Sequence, residues 1–421
     1  MSAEETDLQP ATNTNLPFGD ALQRNIAVRR RIGSIWRRLL LLSLIVALTA
    51  LGLLLYNIVD RAFGYVALEY RRPPTELLSN RPLEAVSQQD LIAIIQENVS
   101  RGRFRTLNRE SPLEQRSKDE VYIVLLEEVA RQRVVHSWSL TDSLLRRSLV
   151  AETMREDYPD ATLEFRSWLS WAFLNTPMSS RPDFAGVRTA ILGSLWMICL
   201  TILIAFPLGV GAAIYLEEYA GRNRLNRIIQ TNINNLAGVP SIIYGMLGLS
   251  IFVRALNPIT SGQIVGLDND NGRTILAAAL TMALLILPLI IINAQEAIRA
   301  VPISLRQASL ALGATKWQTI WHHVLPVAFP GILTGNILAM SRAIGETAPL
   351  IVVGASTYIV TDPDGPFARF TALPILIYNW TSQPQEEFRK IAAAAIIVLL
   401  VMLLSLNSVA VILRNRFRRS L

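Results

Sequence analysis

The chain has 421 residues, 51% of them hydrophobic and only 17% charged, and its mean hydropathy is +0.34. A soluble globular domain carries more charge than this, so lipid is the expected solvent for much of the chain. The formal charge of +7 does not point to nucleic acid, because the basic residues gather beside apolar runs; one cysteine, Cys199, excludes an internal disulfide or CxxC site, and three histidines leave little for a metal centre.

Residues 1–38 read as a polar cytoplasmic tail, disordered to about Asn25. Lipid forces backbone polar groups to bond within their own segment, so a span is a helix of about 20 apolar residues. Leu39–Val59 meets that test without a charge. A cleaved signal peptide is the rival reading, but its apolar core is usually roughly 7–15 residues long, so an anchor is expected. Residues 60–185 mix charge with apolar periodicity and read as a mainly helical extracytoplasmic domain. Helices are predicted at Ser87–Val99, Val121–Ala130 and Leu140–Met154. Ser87 and Asp90 form a capping-box pattern with Asp in place of Glu. In Phe165–Phe173, Trp168 and Trp171 stand three apart on an expected helix, either as membrane-interface anchors or as core.

Five further spans follow: Thr189–Leu216, Ile228–Val253, Thr274–Gln295, a fifth from about Val324 past Gly345, and Ile391–Leu413. Pro207 marks a kink in the second. Pro240–Ser241 lies well inside the third, where a fresh helix starts; its free amides suit an anion, though simple helix initiation explains the proline as well. Arginines flank the spans before Leu39 (Arg24, Arg29, Arg30, Arg31, Arg37, Arg38), at Arg222, Arg224 and Arg227, at Arg299, Arg306 and Lys316, and after Leu413. All four clusters fall on one side if there are six spans with both ends inside. The expected fold is an all-α membrane protein with six transmembrane helices and residues 186–415 as its transport domain.

Between spans four and five, residues 299–326 read as a short amphipathic helix with Leu305, Ala308 and Leu312 on one face, then Gly313 as a helix C-cap, then a second helix ended by Pro326. Adjacent His322 and His323 point about 100° apart on a helix and do not chelate well. This segment resembles the EAA loop of ABC-importer permeases, E-A-A-x3-G-x9-I-x-L-P. Ala308, Gly313, Leu325 and Pro326 match, while Gln307, Ser309 and His323 replace Glu, Ala and Ile. The resemblance implies a type I permease fold and makes Ser304–Lys316 the coupling helix that docks on an ATPase, with Gln307, Ala308, Leu312, Gly313, Ala314 and Lys316 as its contact residues.

Span five carries Arg342 and Glu346 four apart on one face, where they can pair. Charge inside a span usually faces a bundle interior or a watery cavity. A guanidinium suits an oxyanion, and Thr347 adds a hydroxyl while Pro349 breaks the helix. A purely structural ion pair, or one at the interface, fits the same residues. The segment Gly345-Glu-Thr-Ala-Pro-Leu350, with Leu236–Gly245 and Ala213–Ala220, resembles the PstA-type phosphate permeases. That resemblance implies phosphate as substrate, with Arg342, Glu346, Thr347 and Ser241 along its path. It implies a homologous PstC-type permease, two PstB-type ATPase subunits and a PstS-type binding protein as partners, in the bacterial cytoplasmic membrane. Sulfate, molybdate or tungstate on the same fold is the alternative. The chain lacks G-x4-G-K-[ST], so ATP and Mg belong to the partner subunits and the chain itself is not an enzyme.

Overall fold

The computed structural model describes residues 20–418 apart from 79–80, 111, 131, 222, 268–271, 356–357 and 360. Arg222, Arg419 and most of the expected disordered tail lie outside the described residues. The chain divides after Asn57 into two units.

The first unit is helical from Asp20, as the opening part of α1 (Asp20–Ala62). Helix therefore begins well before Leu39, and the arginine-rich stretch expected as tail is helical, since Arg and Leu are both good helix formers. No residue of its apolar window is buried, the condition of a helix whose solvent is lipid.

The second unit opens with a segment that the sequence showed only in part. Its predicted helices form: α2 (Gln88–Asn98) starts at a capping box in which Ser87 and Asp90 bond reciprocally, and Ser87 holds the Asp90 carboxyl below its usual range. The next, α3 (Lys118–Leu125), runs on through a π turn to Ala130. Three strands also form: β1 (Phe63–Tyr70), β2 (Gln132–Ser137) and β3 (Thr162–Ser167), in the antiparallel order β2-β1-β3. Val66 stands opposite both Ser137 and Glu164. The expected helix Leu140–Met154 breaks at Arg146, where φ −123°, ψ 45° lies outside the helical region, giving α4 (Leu140–Leu145) and α5 (Arg147–Asp157). The two tryptophans do not share a helix. Trp168 follows β3 and is buried, while Trp171 is exposed at the start of a new turn.

Central β1 is covered on both faces. Val66 and Leu68 join Trp168, Phe173, Leu376, Trp380 and Ile391, while Ala67 packs with Trp138 and Val150. The sheet is thus anchored on the last helices of the membrane domain. That domain comprises α6 (Arg188–Ile214), α7 (Arg224–Ala237), α8 (Ser241–Gly248), α9 (Ile275–Arg299), α10 (Ile303–Ala311), α11 (Leu325–Gly345), α12 (Ala348–Val353), α13 (Leu373–Thr381) and α14 (Glu386–Arg418). Among the described residues five helices are long and apolar enough to cross a membrane, or six if a bent pair counts as one span. Helix α9 is the centre, with 67% of its apolar window buried. Its alanines at 277, 278 and 279 let neighbours approach closely.

The third expected span is the bent pair. Instead of one rod from Ile228 to Val253, α7 and α8 meet at 105° across Gly238-Val239-Pro240. Proline has no N–H and bars its predecessor from the helical region. The Leu236 carbonyl, which residue 240 would have bonded, instead accepts the Tyr244 hydroxyl at 2.7 Å. Helix α7 buries no residue of its own, but Gln230 and Gln295 exchange hydrogen bonds of 3.1 and 2.8 Å that tie it to α9.

Candidate translocation and coupling sites

The expected fifth span ends earlier than the sequence suggested. Helix α11 stops at Gly345, Glu346 is extended, and the chain restarts as α12 with Pro349 at its second position. The proline lies inside the first turn of the new helix, where its missing N–H is harmless, so the break precedes it. Arg342 Nε donates to Glu346 Oε1 at 3.2 Å. The Arg342 side chain is 43% exposed and that of Glu346 20%. A pair so open to solvent contributes at most about 1 kcal/mol to stability. Guanidinium has five N–H donors, and among the described residues Arg342 has no second partner. Seventeen residues from Leu325 at 1.5 Å each put Arg342 about 26 Å along the helix, near the end remote from the loop.

Ser241 is the first residue of α8 and makes no side-chain hydrogen bond among the described residues, and neither does Thr347. The structure does not bond Ser241 to the Arg342–Glu346 pair. It does bring α8, which carries Ser241, against α12, which follows the pair: a Cβ added at Gly245 would lie 2.7 Å from Pro349 Cα. Ser341, beside Arg342, donates to Asn407 of α14 at 2.8 Å. The break after Glu346 therefore lies among α8, α11 and α12, with α14 tied alongside.

The loop at the other end is an elbow. Helix α10 closes in a Schellman motif: Gly313 sits at φ +82°, its amide reaches the Leu310 carbonyl at 3.0 Å, and the Ala314 amide reaches the Ser309 carbonyl at 3.2 Å. The C-cap reading of Gly313 is therefore correct. Another capping box, Thr315 with Gln318, starts the next helix at once. The coupling helix expected at Ser304–Lys316 is thus Ile303–Ala311 plus a turn. Leu312 lies past the last helical residue and is 90% exposed, off the face expected for it with Leu305 and Ala308. Gln307, Ala308 and Lys316 are exposed and Ala314 half-buried. The second helix does not end at Pro326 either. A π turn at Ile320–Val324 absorbs the lost N–H, and the rod continues from Lys316 to Gly345. His322 Nδ1 lies 3.1 Å from the Gln318 carbonyl of its own helix.

Ser309, which departs from the EAA pattern, is buried with its Oγ 2.9 Å from Thr319 Oγ1, joining the two arms of the elbow. The elbow is in turn held by the end of α6. In the π turn Tyr215–Tyr219, Glu217 pairs with Arg299 and Glu218 with Arg306. The second pair spans 3.0 Å between side chains only 18% and 10% exposed. Arg306 also donates to the carbonyls of Val301 at 2.6 Å and Ile298 at 2.8 Å, groups freed where α9 ends. Lys316 Nζ stands 5.1 Å over the Tyr219 ring. Glu217, Glu218 and Tyr219 thus hold the elbow at three points. The sequence had marked them only as part of the Ala213–Ala220 motif and not as a clamp, because their partners lie 82 and 88 residues away.

Residues 205–419 match the family described as binding-protein-dependent transport system inner membrane component, just over half of the chain. The chain belongs to that family. Among relatives, the probable ABC transporter permease YqgI of Bacillus subtilis is 33% identical over 254 residues, which cover 57% of this chain and 82% of the relative. The phosphate transport system permease PstA 1 of Mycobacterium tuberculosis H37Rv is 36% identical over 231 residues, covering 54% and 70%. The PstA of Yersinia pestis is 32% identical, covering 56% and 76%. This permease is therefore a multi-pass inner-membrane subunit of an ABC transporter and not an enzyme, and its likeness to the PstA type is established. The segment built on β1 precedes the matched region.

Proposed function

We propose that this permease carries inorganic phosphate inward, and that Arg342 is the group that meets it. The observation that carries this reading is an arginine at the broken end of an otherwise uncharged helix, held by one carboxylate and with no second partner among the described residues. Phosphate offers oxygens that accept such donors in pairs. Glu346 fixes one edge of the guanidinium and weakens its hold on an anion, which favours release. Ser241 and Thr347, both free of side-chain partners among the described residues, supply hydroxyls beside the path. The relatives named as phosphate permeases support the substrate.

The rest of the machine follows from the same reading. A PstS-type protein delivers the anion on the face that carries residues 60–185, and a PstC-type permease forms the other wall. Two PstB-type ATPases close on ATP and Mg and press on the elbow, whose exposed Leu312, Trp317 and Trp321 offer them apolar surface. Six spans with both ends inside put that elbow in the cytosol. The Glu218–Arg306 and Glu217–Arg299 clamps pass its displacement to α6 and α9. Labelled phosphate uptake by the reconstituted importer tests the proposal. Arg342→Ala is expected to abolish uptake while the complex still assembles; normal uptake by that variant, or full competition by sulfate or molybdate, refutes it.

A further inference from the structure

At the junction of the sheet with the last span lies a cavity of about 230 Å³ lined by Arg61, Ser137, Ser139, Glu386, Arg389 and Lys390. Lys390, one turn into α14, is 9% exposed. Its Nζ donates to the Trp138 carbonyl at 3.3 Å, and among the described residues it has no other hydrogen bond and no ion pair. An ammonium has three donors, and burying one with donors unmet is costly. Arg61 and Arg389 are exposed and, among the described residues, have neither ion pair nor hydrogen bond. The Ser137 side chain is buried and its hydroxyl likewise has no partner there. The Ser139 hydroxyl, by contrast, is committed to capping α4 at Asp142.

Acidic groups stand nearby as well. Glu386 lines the cavity, and Glu387 and Asp60, outside the lining, also act on Lys390. Asp60 accepts from the Thr141 amide at 2.7 Å and its hydroxyl at 2.6 Å, which holds that carboxylate on α4. The lining thus holds three cations against one carboxylate. At about 30 Å³ per water the space fits a tetrahedral oxyanion with some hydration. It lies where α1 ends and α14 begins, beside the ends of the expected spans Leu39–Val59 and Ile391–Leu413.

We propose that this cavity binds a phosphate group, as inorganic phosphate or as the headgroup of an anionic phospholipid, with Lys390, Arg61 and Arg389 opposing its charge and Ser137 donating a hydroxyl. The site is separate from Arg342 and does not depend on which substrate the permease carries. It would fix the sheet to the last span through a bound anion.

The test uses the purified importer in detergent. Phosphatidylglycerol is titrated by native mass spectrometry, and inorganic phosphate by ³¹P line broadening in the Arg342→Ala background, so that the pathway does not contribute. One of the two probes is expected to bind, identifying the source, and Lys390→Met and Arg389→Gln each weaken it at least about tenfold. Arg389 is exposed, so its variant retains the fold even if the buried substitution does not. Wild-type affinity for both probes in Arg389→Gln, or no binding of either probe by the unsubstituted cavity, overturns the proposal. Failure of the transport reading shows instead as normal uptake by Arg342→Ala.

Discussion

Replacing Gly245 by alanine tests the contact on which the break after Glu346 depends. The added methyl would stand 2.7 Å from Pro349 Cα, 3.0 Å from the Pro349 carbonyl oxygen and 3.1 Å from Val352 Cβ. Carbons settle at about 3.5–4.0 Å, so α8 and α12 must part by about 1 Å. Two of the three obstacles are backbone, and no rotamer change relieves them. Such overpacking costs about 1–3 kcal/mol. Alanine returns about 0.5–1 kcal/mol of backbone entropy in a helix, leaving a net loss of up to about 2.5 kcal/mol, centred on about 1 kcal/mol. At roughly 2–4 °C per kcal/mol for a domain of this size, thermal unfolding of the purified importer should drop by about 2–4 °C, and by at most about 10 °C. Phosphate uptake should fall further than stability does, because Pro349 stands three residues after Glu346. Gly211, in α6, has nothing within 4 Å of an added Cβ and supplies the control. If Gly245→Ala melts and transports like Gly211→Ala, the close approach of the half-helices has no functional weight.

Three further substitutions probe the elbow. Ser309→Ala strands the buried Thr319 hydroxyl and should cost about 1–3 kcal/mol, whereas Ser309→Ala with Thr319→Val should recover most of it in thermal melts. Glu218→Gln leaves Arg306 its two carbonyl partners but no counter-charge. Its cost, about 2 kcal/mol, lies between the limits for exposed and buried pairs, and ATPase activity stimulated by the binding protein should decline with it; unchanged stimulation would show that the clamp transmits nothing. Gly313→Leu forces a side chain into the left-handed region at about 1–2 kcal/mol and should uncouple hydrolysis from uptake, while Gly313→Asn, which tolerates that region better, should retain more coupling in the same assay.

Features carried by a few consecutive residues were legible in advance. Span hydropathy, the Ser87–Asp90 capping box, the αL glycine at 313 and the i, i+4 pairing of Arg342 with Glu346 all depend on separations of four residues or fewer, or on a running average. The candidate site was legible to the same extent: its residues could be named, but their partners could not. Local pattern also misled at specific places. The apolar run Ile228–Val253 hides a right-angle bend, because hydropathy is indifferent to direction. Pro326 was read as a stop, but a π turn absorbs it. Trp168 and Trp171 keep helical spacing only on paper, since strand pairing with β1 claims the residues before them.

Sequence alone determined that this chain lives in lipid, where its long apolar stretches fall, which family it joins and where an arginine enters an otherwise uncharged helix, since each is a matter of composition or short-range spacing. Tertiary structure alone decided that Glu217 and Glu218 grip the elbow, that Ser309 meets Thr319, that Gly245 seats against Pro349, and that Lys390 is buried behind the sheet. Those contacts join residues from 10 to 252 positions apart. Their formation depends on how whole helices and strands pack, and no local preference encodes that.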